Sequence, residues 1–503
     1  MGAPLLAALA LAAGATAPAS PASPAERSGP DIFAVIVGNN ASDGGELADL
    51  RYADDDAARY HELLSMAGGN VEILSVLDAD TQRIHPEVAE QARVPRREVL
   101  LGALTRTFDA IRDAERAGRR TAFYFVYVGH GSIGADGEGQ MHLVGGRFSR
   151  SDLFQQVLAE SPASVNHVII DACNAYLMVA RRGDTTAVDA ALDQFLARED
   201  LSEYPNTGVL VSTSEATEVH EWSRFSAGVF SHEVRSALVG GADVDGDGRA
   251  TYAEVRAFIA AANARIDNPK ARLEVYAAAP RINLREPIFD RAWAPDAPTV
   301  RVPDQMAGRY FVEDTRGVRY ADFNSSPDFT VTLTLVPQEL YYLRSDGLEI
   351  RVPTGVLQSA NAADLAAQPI TLAMRGSESD EFRRNLFALP FGPAYFEGYR
   401  ASLPDPRSRA RVEAAQPERR GLSAKRVAAL SVAGAGAASL VASLVVGLGV
   451  QDLRDQHARA IGDDDDIADL EGRIEDRVLA TNLLLGAGIG LVVTGATLWL
   501  WPE

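Results

Sequence analysis

The sequence predicts an α/β protein with a mostly parallel sheet flanked by helices, followed by a small antiparallel β domain and a two-helix transmembrane hairpin. From residue 31 to about 285, apolar strand-like runs alternate with helix-like stretches, the order that lays strands side by side in a parallel sheet. From 295 to 400, β-branched and aromatic residues alternate with polar ones between recurring turn signals, as antiparallel strands do. Two uncharged runs, 427–450 and 478–501, are each long enough to cross a bilayer.

The elements follow in order. Residues 4–14 (PLLAALALAAG) form an apolar core that ends in the small-x-small pattern Ala15-Thr16-Ala17. This predicts a signal peptide over 1–17, although no basic residue precedes the core. Residues 18–30, rich in Pro, Ala and Ser, predict a disordered linker. Residues 32–37 (IFAVIV) read as the first strand, and 52–66 as a helix with Ala57, Tyr60 and Leu64 on one side and aspartates in its opening turn. A strand at 71–77 and an amphipathic helix at 97–116 come next, then strands around 123–128, 168–171 and 208–213. Residues 180–206 are polar apart from a short helix-like piece at 188–195. The β domain, 295–400, shows no site chemistry of its own.

A basic linker, 401–426, precedes the first span, and an acidic connector, 451–477, joins it to the second. Glycines in both spans, among them Gly436 and Gly488, let two helices approach closely. Topology is in conflict. A signal peptide exports the front of the chain, whereas the basic flank at 407–426 favours the cytoplasmic side. Large domains translocate largely regardless of charge, so export to the periplasmic side of a bacterial inner membrane is the expected location.

The net charge of −21 argues against nucleic acid, which demands a basic face. The chain holds one cysteine, Cys173, at the end of the run Val168-Ile169-Ile170-Asp171-Ala172. A lone thiol closes no intramolecular disulfide, so Cys173 is either core filler or a nucleophile. A second run, Phe123 to Val128, ends 43 residues earlier in Gly129-His130-Gly131. Cysteine needs a base or cationic partner to form thiolate near neutral pH, and imidazole is the usual one. Thiolate attack on a carbonyl also needs N–H donors for the oxyanion. Gly131, which has no side chain to block approach, and Cys173 are the natural donors.

Phe33 to Asn39, Leu50 to Ala57, Tyr127-Val128-Gly129-His130-Gly131 and Asp171-Ala172-Cys173, in this order and spacing, resemble the caspase and metacaspase peptidases. The resemblance covers residues 31–285. It implies a caspase-like fold and a cysteine endopeptidase that uses His130 and Cys173 on a protein or peptide substrate. It also implies a specificity pocket. Asp171 stands two residues before the cysteine, as in metacaspases, and Glu215 follows the next strand. Two carboxylates there favour Arg or Lys before the scissile bond; the alternative is that Asp171 caps a local structure. Asn174-Ala175-Tyr176 and Val128 depart from the family's pattern, so a catalytically inactive caspase-fold binding or signalling protein is the competing reading. Arg181, Arg182 and Arg198 mark a candidate self-cleavage segment, the commoner alternative being arginines on a solvated helix. A serine hydrolase is disfavoured, since the sequence around Ser132 (HGSIG) lacks the leading glycine of a nucleophile elbow.

Residues 243–254 (DVDGDGRATYAE) match the EF-hand loop. Asp243, Asp245 and Asp247 would be monodentate ligands of Ca2+, Arg249 a carbonyl ligand, Thr251 a side-chain or water-mediated one, and Glu254 bidentate. The alternative is a metal-free acidic turn. No organic cofactor is implied.

Overall fold

The computed structural model describes residues 29–42, 47–172, 175, 201–212, 221–223, 225–267, 272–273, 275–370, 380–403, 424–459 and 464–500. The predicted signal peptide, nearly all of the linker after it, most of the basic linker and the helix-like piece at 188–195 lie outside those residues. The chain forms two compact units, residues 1–403 and 404–503.

The first unit is built on a six-stranded sheet. Its strands are β1 (Asp31–Asn39), β2 (Asn70–Ser75), β3 (Thr121–Gly129), β7 (Val165–Asp171), β8 (Thr207–Ser212) and β12 (Val275–Ala278), in the order β12-β8-β7-β3-β1-β2. Five strands are parallel, and the edge strand β12 runs antiparallel to β8. Shorter strands fall between these in the chain: β4 (Gly131–Ile133), β5 (Gly139–Leu143) and β6 (Gly146–Ser149) form a small antiparallel sheet after His130, and β9 (Glu221–Trp222) pairs with β10 (Ala227–Gly228).

The apolar runs explain the layering. In β3 all nine residues are buried, as expected for a strand covered on both faces. Alternate residues enter separate cores: Tyr124 and Val126 on one face, Phe123 and Phe125 on the other. Helix α1 (Ala53–Met66) covers the first face through Ala57, Tyr60 and Leu64. Helix α2 (Arg97–Arg116) covers the second through Leu100, Leu104, Phe108 and Ile111. Helices α3 (Val229–Ser236) and α4 (Tyr252–Asn263) join the first core.

The strand-rich region after 295 forms mostly antiparallel sheets, with one parallel pairing of 299–301 with 359–361, and it shares one compact unit and one core with the α/β part. That core runs from Ile32 to Phe391. Buried polar contacts bind the two regions together. His232 on α3 lies 2.8 Å from Asp322, and Asp322 also pairs with Arg319. Apolar faces that the sequence leaves to two separate domains are therefore buried against each other.

The second unit is a helical hairpin of α5 (Ala424–Arg459) and α6 (Asp464–Leu500). Residues 431–450 and 471–498 are long and apolar enough to cross a membrane. The described part of the acidic connector is helical and extends both spans.

Candidate active site

β3 and β7 are neighbours, and their last registered pair is Val128 opposite Asp171. His130 follows Val128 by two residues, and Cys173 follows Asp171 by two. Cys173 and Glu215 lie outside the described residues, as do Arg181, Arg182 and Arg198. The order of the parallel strands reverses between β1 and β3. In open α/β sheets a crevice forms at such a point beyond the carboxyl ends of the strands, and His130 leaves β3 there.

The backbone around His130 is held from both sides. The Tyr127 hydroxyl donates to the His130 carbonyl at 2.7 Å and accepts the His142 N–H at 2.9 Å. Asn39 Nδ2, from the end of β1, donates to the His142 carbonyl at 2.9 Å. Gly129 fits because a Cβ there would lie 2.7 Å from the Tyr127 hydroxyl and 2.9 Å from the Asn39 carbonyl. Gly131 opens β4, opposite Met141, and is buried.

His130 is 5% exposed, and its Nε2 is buried with no hydrogen-bond partner. Burial lowers its pKa below the ordinary 6.5, opposed by hydrogen bonding to the backbone at Ala48 and Asn40. The ring is therefore neutral at pH 7 and able to take a proton.

Asp171 is 4% exposed. Its Oδ2 accepts the Ser231 N–H at 3.1 Å and the Ser231 hydroxyl at 2.6 Å, in the first turn of α3. That is the capping alternative, and an incoming arginine would have to share this carboxylate with Ser231. Burial pushes Asp171 up to about 7. A second buried carboxylate, Asp56, accepts the Gly228 N–H at 2.7 Å and pairs with Arg235 at 2.8 Å. Gly228 lies between the two acids, its Cβ position 2.9 Å from Asp171 Oδ2 and 3.2 Å from Asp56 Oδ2.

Sequence reasoning missed Asp56 and Arg235. The run Asp54-Asp55-Asp56 reads as acids suited to a helix start, yet all three are buried. A groove among the described residues is lined elsewhere, by His61, Glu62, His85 and Arg316 among others, and not by His130.

The acidic loop is intact. The ligand oxygens of Asp243, Asp245 and Asp247 lie within 4.8 Å of one another. Arg249 and Thr251 bound the short strand β11 (Arg249–Thr251). Glu254 and Thr251 form a capping box at the start of α4.

No family model matches the chain, and no curated protein matches it. Among solved structures, the crystal structure of protein GSU0716 from Geobacter sulfurreducens is similar over 52% of this chain and 99% of its own, at 17% identity and a TM-score of 0.30.

Proposed function

We propose that this chain is a caspase- or metacaspase-like cysteine endopeptidase, tethered to a membrane by its C-terminal hairpin with the peptidase unit on the exported side. The observation that supports the reading is the pairing of β3 with β7, with Val128 opposite Asp171, because His130 and Cys173 each follow that pair by two residues in the sequence. Cys173 Sγ attacks the scissile carbonyl and His130 takes the thiol proton. Backbone N–H groups at Gly131 and Cys173 receive the oxyanion. His130 then delivers its proton to the leaving amine, and water releases the acyl group from sulfur.

Cleavage after Arg or Lys belongs to the same reading. Asp56 is already paired with Arg235, so the reading needs Asp171 to exchange its Ser231 contact for an incoming cation, with Glu215 as the second carboxylate.

The burial of His130 favours a second reading, a caspase-fold binding or signalling protein without catalysis. Incubating the full chain in detergent with a peptide library separates the two. Cleavage after Arg or Lys, abolished in Cys173→Ala, supports the peptidase. Cleavage only after Asp overturns the specificity, and no cleavage by wild type overturns the activity.

A further inference from the structure

The acidic loop carries chemistry that the peptidase reading does not use. Asp243 is 4% exposed. Its Oδ2 accepts the Gly248 N–H at 3.0 Å, but its Oδ1 is buried with no hydrogen-bond partner. A buried carboxylate oxygen left bare is costly unless a cation meets it. Two other acids of the loop, Asp245 and Asp247, lie close to Asp243. Asp245 accepts the Asp247 N–H at 3.2 Å, and Asp247 accepts the Arg249 N–H at 2.8 Å. Gly248, with φ at +87°, makes the sharp turn at the sixth position. Ligand oxygens each 2.3–2.6 Å from one Ca2+ can be no more than about 5 Å apart, and the three aspartates meet that limit at 4.8 Å.

A single hand normally lacks a partner for the short strand inside its loop. Here β11 pairs antiparallel with β13 (Pro287–Asp290), Arg249 opposite Asp290 and Ala250 opposite Phe289. The next residue, Arg291, donates its N–H to the Gly248 carbonyl at 2.8 Å, and its guanidinium lies 3.5 Å from Asp243 Oδ2. Arg291 partly offsets the loop's four carboxylates and leaves Asp243 Oδ1 unmet.

The loop is also joined to the central sheet. The hydroxyl of Tyr252, its tenth residue, lies 2.8 Å from Nδ1 of His167 on β7. Tyr124 on β3 donates to the Ile288 carbonyl on β13 at 2.6 Å.

We infer that residues 243–254 bind one calcium ion as an unpaired hand, with β13 in the place of a second hand's strand. Asp243, Asp245, Asp247 and Glu254 supply carboxylates, Arg249 its carbonyl, and Thr251 its hydroxyl or a bridging water. A bidentate Glu254 and a backbone carbonyl suit calcium over magnesium, which demands a tight octahedron. The inference requires neither His130 nor Cys173, so it stands or falls apart from the peptidase reading.

Equilibrium dialysis of the full chain in detergent against radioactive Ca2+, with Mg2+ in excess, tests it. The expected result is one ion per wild-type chain, bound at least about tenfold more weakly by Glu254→Gln and by Asp245→Asn. Asp245 is exposed, so the second variant keeps the fold. Calcium should also raise the unfolding temperature of wild type more than that of either variant. No saturable binding by wild type up to about 10 mM, beyond the weakest extracellular hands, overturns the inference, as does binding by both variants as tight as that of wild type.

Discussion

Val128 and Asp171 sit opposite each other on neighbouring parallel strands, so the chain leaves β3 and β7 at one level of the sheet. Everything proposed about catalysis grows from that pair, since the histidine and the cysteine each follow two residues later.

The first prediction concerns pH. Burial holds the His130 pKa below 6.5, so the neutral ring persists as pH falls through 7. Because catalysis needs the free base, activity is lost only when His130 takes a proton. The acid limb of kcat/KM should have its midpoint below pH 6.5. A pH profile of reporter hydrolysis measures it, and a midpoint above 7 would exclude His130 as the base.

Asp171 makes a prediction about stability. Its pKa is raised from 3.8 to about 7 by burial, so between those values the folded chain holds more proton than the unfolded one. Its stabilising share is therefore full below pH about 4 and is lost as pH rises to about 7. Asp171→Asn keeps an oxygen for Ser231 and carries no charge. Its unfolding temperature should match wild type near pH 4 and exceed it near pH 8. A constant difference across that range would contradict this account.

Tyr252 and His167 give a third. His167 is fully buried, and burial pulls its pKa down to about 3. Tyr252→Phe strips Nδ1 of its partner without opening a large cavity, at a cost of about 1–3 kcal/mol. Denaturant unfolding measures the loss. Calcium affinity should stay within about twofold of wild type, because the tyrosine side chain is not a ligand of the hand.

In the hairpin, Gly436 and Gly488 set the approach of α5 and α6. A Cβ on Gly436 would meet the Val492 N–H nitrogen at 2.7 Å, and one on Gly488 would meet Leu440 Cδ2 at 2.8 Å. Gly488→Leu should push the helices apart by about 2–3 Å, since small residues are what permit close crossing. Spin labels at the exposed positions Leu444 and Leu483 would report the change. An unaltered separation would mean that these glycines do not govern packing.

Much of this was legible in the sequence. Uninterrupted apolar runs such as Phe123–Val128 announce strands buried on both faces, and the 97–116 periodicity matches α2 residue for residue. The alternate spacing of Asp243, Asp245 and Asp247 implies that their carboxylates meet, and they lie within 4.8 Å of one another. What sequence could not supply was long-range pairing. Nothing local indicates that β13 completes β11, or that Asp56 meets Arg235 across 179 positions. Nor does composition foretell that the strands after 295 share a core with the α/β part, because an apolar face looks the same whatever covers it. Asp171 was ambiguous for a related reason: an acid at a strand end serves a pocket or a helix start equally well, and only the position of Ser231 reveals the second contact.

The most direct test of the central claim is hydrolysis of an arginyl amide reporter by the full chain in detergent, beside Cys173→Ala and alongside alkylation of the thiol by iodoacetamide. The account predicts turnover by wild type, a loss of at least about 10³-fold in the variant, and alkylation of Cys173 at neutral pH that stops turnover. Wild type no faster than Cys173→Ala, with a thiol that resists alkylation in the folded chain, would contradict it.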